Sequence, residues 1–260
     1  MAGAKQKPKE RPDALAIAKG FRGYGPEKES GLRETVVKED EMLRQLKTVW
    51  ETCNYKGEVH TDYAAMCEAV KELGYSAKDV ERFSIVLVEF QDEHNFYYKA
   101  GVFLSALVNS CREDDLIIHT SHLTRHIDHL GYQNMKNITI EGDAGNIMGG
   151  LGRGSIILNG NAGNYAGLNL LGGSIIVKGN VGEHVGNDMK SGSITVKGNA
   201  GDSMAGNMRG GIITVEGNAG KSVGWEMTDG EIHLNGDYGG VSDYIVHGKI
   251  FHKGKLIFGK

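Results

Sequence analysis

The stretch His119-Thr120-Ser121-His122-Leu123-Thr124-Arg125-His126-Ile127-Asp128-His129 gathers four of the chain's 10 histidines. On a helix, their steps of three, four and three residues put all four imidazoles on one face. Zinc or iron takes two or three imidazoles from such a face, with Asp128 or a water nearby. His119, His122 and His126 are therefore the candidate metal ligands. Leu116-Ile117-Ile118, however, reads as a strand leading straight into this stretch, and an irregular coil or cap would dissolve the shared face. A His-rich cap, or a contact between subunits, is the competing reading.

Other chemical signals are weaker. Gly149-Gly150-Leu151-Gly152-Arg153-Gly154 has the glycine content of a phosphate loop but lacks a Lys-Ser/Thr pair, and it lies inside a repeat. A corner of the repeat is the reading it supports. Cys53, Cys67 and Cys111 are odd in number, without paired spacing, and sit on apolar helix faces. They read as reduced core cysteines. Asp92-Glu93-His94 and Glu113-Asp114-Asp115 read as solvated turns. No Ser-His-Asp or Cys-His arrangement stands out, so no catalytic or cofactor-binding residue is assigned.

The elements that must position these residues fall into three parts. Residues 1–34 read as a flexible tail rich in Lys, Glu, Pro and Gly, with a basic stretch at Lys5, Lys7, Lys9 and Arg11. Residues 35–115 read as a helical domain. Val36, Met42, Leu43, Leu46, Val49, Trp50 and Cys53 recur at helical spacing. Thr61 or Asp62 is the expected cap of a second helix that closes at Gly74, and Ser76 of a third running from Ala77 to Gln91. The apolar run Phe83 to Val88 inside it suits a buried helix or a strand. Asn95 to Cys111 suits a fourth helix.

Residues 116–260 carry a repeat. Gly160, Gly179, Gly198, Gly217 and Gly236 are 19 residues apart, and so are Met189, Met208 and Met227. Each unit has an alternating Ile-x-Val step, a Gly-Asn pair, a second short apolar step and a Met-x-x-Gly corner. Alternation sends Ile and Val inward and Thr, Lys and Glu outward. The glycine and asparagine at fixed offsets read as positive-φ corners, and the methionines as an internal apolar ladder. Units of this length fit one coil each of a right-handed parallel β-helix, about six or seven coils in all. The fold class is thus α+β, a small N-terminal helical region followed by the β-helix. Ile250-Phe251 and Leu256-Ile257-Phe258 read as finishing strands.

The line Gly-Asn-Ala-Gly-x-x-x-(Gly/Ala)-x-x-Met-x-x-Gly-x-Ile-x-Val-x-Gly resembles the GXGXG domain. That domain forms the C-terminal β-helix of the glutamate synthase large subunit and most of one non-catalytic subunit of formylmethanofuran dehydrogenase. The line is nearer to the latter. The resemblance covers about Leu116 to Gly248. It implies a non-catalytic β-helix that braces the catalytic parts of an oxidoreductase or amidotransferase complex. No catalytic residue comes with it, because the motif contains none.

Composition bounds the rest. A net charge of −4 argues against binding nucleic acid through phosphate neutralisation. The longest near-apolar stretch, Ala100 to Val108, is far short of a membrane span. The N-terminus lacks the apolar core of a secretory signal, and three cysteines without paired spacing suit a reducing compartment, so a cytoplasmic protein is expected. The expected partners are other protein subunits or copies of the chain itself. A metal enzyme built on the histidines and a self-assembling homo-oligomer stand as alternatives to the scaffold.

Overall fold

The computed structural model describes residues 41–259. The tail expected over 1–34 and the expected helix start at Val36 lie outside them. Met42–Lys260 packs as one compact unit. It has a helical segment, α1 (41–52), α2 (Val59–Val70), α3 (Ala77–Val86) and α4 (Phe96–Ser110). The strands β1 (Asp115–His119), β2 (Asn137–Glu141), β3 (Ser155–Asn159), β4 (Ser174–Val177), β5 (Ser193–Val196), β6 (Arg209–Val215), β7 (Asp229–Leu234), β8 (Lys249–His252) and β9 (Lys255–Gly259) follow.

Local chemistry explains the helix ends. α2 begins ahead of the expected cap, and Asp62 lies in its first turn. The Asp62 carboxylate accepts the N–H groups of Lys56 (2.8 Å), Gly57 (2.9 Å) and Glu58 (3.0 Å), so it fixes the loop before the helix. α3 starts where the sequence places it. Ser76 and Asp79 form a reciprocal capping box, which satisfies two otherwise orphaned N–H groups. α3 stops at Val86 rather than Gln91 and passes into a 3-10 turn, Leu87–Phe90. The Phe83 to Val88 run is therefore helical, with Phe83 and Leu87 buried and Ile85 and Val88 exposed.

α4 is buried nearly all round because it is packed on two sides. One side meets Trp50, whose ring lies 5.5 Å from Phe103 and 6.1 Å from Phe96. The other side meets the first coil of the strand region. A Cβ at Gly101 would run into the Asp128 carbonyl, so only glycine lets the helix come this close. Nearby, the buried Ser105 hydroxyl accepts the N–H groups of Gly131 (3.0 Å) and Tyr132 (3.1 Å) and donates to the Gly101 or His129 carbonyl.

The strands form one sheet in sequence order, parallel from β1 to β8. Ile156, Ile175, Ile194 and Ile213 stand in register and are all buried. A second, minimal parallel run links Ala144, Ala162, Val181, Ala200, Ala219 and Tyr238. The result is a β-solenoid of about seven turns. The β1 end packs against α3, and the other end closes with a reversed strand. Ser84 on α3 accepts the His119 N–H (2.9 Å) beside β1, and β9 turns back antiparallel onto β8.

The repeat residues have specific jobs. Met189, Met208 and Met227 are fully buried in a ladder, as the sequence suggests. The Met189 methyl fills the space that a Cβ at Gly211 would need (2.5 Å), and Met208 does the same under Gly230 (2.6 Å). The glycine ladder differs from expectation. Gly160, Gly179, Gly198, Gly217 and Gly236 do not have positive φ. They are small because the next coil is close, and a Cβ at Gly198 would sit 2.6 Å from the Gly179 carbonyl oxygen. Positive φ falls instead on other corners, among them Gly186 and Gly192 and the non-glycine residues His184, Asp188, Ser203, Ala205 and Asn207.

Candidate functional site

The junction between the helices and the first coil holds the histidine stretch. The chain is a strand to His119 and then turns, so no helical face collects the imidazoles. Each takes its own surroundings. His119 Nε2 lies 3.1 Å from Glu81 Oε1 on α3. His122 is half-buried and its Nε2 has no hydrogen-bond partner among the described residues. The His126 side chain is 67% exposed, 3.9 Å from Asp143 Oδ2. Asp128 points its Oδ1 at the Asn146 N–H (2.7 Å) and serves the coil. Among the described residues, no three His, Cys, Asp or Glu side chains converge as a metal-holding group.

His129 has φ 60° and sits edge-on to Tyr98 (5.5 Å) and Tyr132 (6.4 Å). Burial holds its pKa below the usual histidine value, against the pull of Asp128. Around it lies a polar and aromatic network. Tyr98 donates its phenol to Asp62 (2.7 Å), Tyr132 pairs with His60 Nδ1 (2.7 Å), and Asn109 donates to the Tyr63 hydroxyl (2.9 Å). Burial, then donation to a carboxylate, pushes the Tyr98 phenol well above its ordinary range. Burial likewise raises Tyr63. The network ties α2 and α4 to the first coil. Desolvation works against the Asp62 charge, but the hydrogen bonds from Tyr98, Lys56, Gly57 and Glu58 outweigh it and lower its pKa.

The cysteines are free thiols. Burial raises all three, and Cys111, which also donates to Glu113, is pushed up to about 11. None is poised as a thiolate nucleophile at neutral pH.

One turn departs from its expected character. Glu93 accepts from Trp50 Nε1 (3.2 Å) and pairs with buried Lys99 (3.6 Å), whose ammonium lies 4.4 Å from the Trp50 ring centroid. Lys99 stands beside an apolar helical run, and nothing in the sequence marks it as buried. The cation–π contact and the carboxylate together make its burial tolerable.

Along the solenoid, ladders of asparagine side chains are structural. The Asn161 side-chain oxygen accepts the Asn180 N–H (2.9 Å), Asn180 that of Asn199 (2.8 Å), and Asn199 that of Asn218 (2.8 Å). A second ladder runs from Asn146 to Asn164 to Glu183. Gly149 to Gly154 lies between strands as a corner of a coil. No helix among the described residues is long and apolar enough to cross a membrane. No protein-family model matches the chain, and no curated protein matches it.

Proposed function

We propose that this chain is a non-catalytic structural subunit. Its solenoid is a right-handed β-helix of the GXGXG type that braces catalytic subunits of a cytoplasmic oxidoreductase or amidotransferase assembly. The observation that carries this reading is the division of side chains around each coil. Recurrent polar residues are tied to the next coil, while the outer sheet face keeps an uncharged central column. That column comprises Ile117, Thr139, Ile157, Ile176, Thr195 and Thr214 across six parallel strands. Ile117 and Ile157 are 42% and 38% exposed. An uncharged strip on a continuous parallel sheet suits docking of another folded surface better than capture of a small substrate. The Gly-Asn and Met-x-x-Gly spacing supports the GXGXG assignment. Right-handed crossovers are the rule for parallel strands, which supports the hand.

The test is untagged purification from the native source with mass spectrometry and light scattering. Stoichiometric catalytic subunits are expected, and replacing Ile157 and Thr195 with Lys should release them. A homo-oligomer with no foreign subunit overturns the reading. Metal analysis of the same preparation decides the zinc or iron question for His119, His122 and His126.

A further inference from the structure

A groove of about 630 Å³ opens beside the last coils, lined by Asn207, Arg209, Glu226, Thr228, Tyr244 and Val246. Its walls are two neighbouring columns of the solenoid. One column carries Asp188, Asn207 and Glu226, all at positive φ. The other carries Arg209, Thr228 and Val246, whose N–H groups donate to Met189, Met208 and Met227 one coil back.

These side chains differ from the asparagine ladders. The side chains of Asn207, Glu226 and Tyr244 form no hydrogen bond or ion pair among the described residues, and Tyr244 is 70% exposed. Glutamate is also less suited to positive φ than the Asp and Asn of the two preceding coils. The corner recurs at positive φ from Gln133 through Leu151, Asn169, Asp188 and Asn207 to Glu226, so coil geometry explains the backbone there but not these side chains.

Charge narrows the ligand. Arg209 Nη2 lies 3.8 Å from Asp188 Oδ1, and Arg209 stands opposite Asp229 in the ladder. An anion entering the groove meets carboxylates, and a cation meets the guanidinium. A neutral ligand with adjacent hydroxyls finds good partners for both donors and acceptors in amide, carboxylate, guanidinium and hydroxyl groups. An exposed phenol ring offers an apolar face for the C–H side of a sugar. The volume lies in the range of small-molecule sites, and coils about 4.8 Å apart present one such pair after another along the axis, Asn207 and Arg209, Glu226 and Thr228, then Tyr244 and Val246. We infer that this groove binds a neutral oligosaccharide. The inference goes beyond the scaffold role and does not depend on it.

The test uses the full chain and three soluble probes, the hexamers of α-1,4-linked glucose, β-1,4-linked glucose and β-1,4-linked N-acetylglucosamine. Trp225, 42% exposed and adjacent to Glu226, reports by fluorescence, whereas Trp50 is buried. Calorimetry gives the affinity. Saturable binding of at least one probe is expected, with a Kd of about 1 mM or tighter. Tyr244→Ala and Glu226→Gln should each weaken it at least about tenfold, a loss of ~1.4 kcal/mol, with circular dichroism and melting unchanged. Lys178→Ala, beyond the end of β4, should leave it unaltered. Absence of saturation with all three probes overturns the inference, and so does binding that survives both groove substitutions.

Discussion

The helical segment and the solenoid bury apolar surface in opposite ways. The helices converge on one irregular centre. Trp50 alone has Phe83, Phe90, Phe96 and Phe103 within 6.2 Å, with a lysine and a glutamate completing the packing. The solenoid has no centre. Its Ile, Val and Met rows repeat the same contact from coil to coil. Damage in the first region should be felt throughout a cluster, and damage in the second should spread to the coils on either side.

The largest difference should come from Trp50→Ala. It removes the ring that four phenylalanines pack against and leaves Glu93 and Lys99 without their shared partner. A loss of about 3–5 kcal/mol is expected in urea unfolding. Hydrogen exchange should show the lost protection across α1 to α4. A loss below about 1 kcal/mol would mean that the cluster is not the keystone of the helical segment.

Gly198→Ala tests the solenoid in the same units. The new methyl meets the Gly179 carbonyl and the Asn180 side-chain oxygen, both backed by the preceding coil. About 2–3 kcal/mol of destabilisation is expected, with faster exchange in the coils around β4 to β6 and little change in α4. Equal exchange changes in the helices would dissolve the contrast between the two regions.

Asn199→Ala is the gentler version. It deletes an acceptor for the Asn218 N–H and should cost about 1 kcal/mol. Asn199→Asp keeps the acceptor and should cost less, as natural use of Asp143 at the equivalent rung suggests. If both variants lose the same amount, the ladder bond is not what the side chain contributes.

The same contrast explains what the sequence makes legible. A period of 19 residues exposes the coil, its inward methionines and its turn count, because each contact recurs several times. Handedness does not leave such a trace. The glycine ladder is visible, but its cause is not. Spacing cannot separate a positive-φ corner from a close approach, and Gly198 belongs to the second kind. In the helical segment each contact occurs once. Ser76 is readable because a capping box is local. Lys99 is not, since the ring and carboxylate that accept it lie on α1 and in the turn after α3. The histidine stretch shows the hazard of reading spacing alone, because helical periodicity means nothing where β1 runs into turns. Groove residues escape notice for the converse reason, since they occupy corners whose repeat looks purely geometric.

The smallest expected effect lies at the boundary between the two regions. Burial favours neutral His129 in the fold, so its folded pKa is below the unfolded value of about 6.5. Its contribution to stability is complete above that pH. It declines as pH falls toward the folded pKa, because the unfolded chain binds the proton first. Asp62 acts in a separate window. Its lowered pKa means its contribution is lost only below about pH 4, as the unfolded carboxyl protonates. Melting followed between pH 7 and pH 5 therefore reads His129 without Asp62. His129→Asn, which tolerates the same positive φ, should flatten that slope, and the wild-type chain should lose exchange protection first at Tyr98 and Tyr132. An unchanged slope in the variant would place the acid sensitivity elsewhere and leave the junction as firm as the coils behind it.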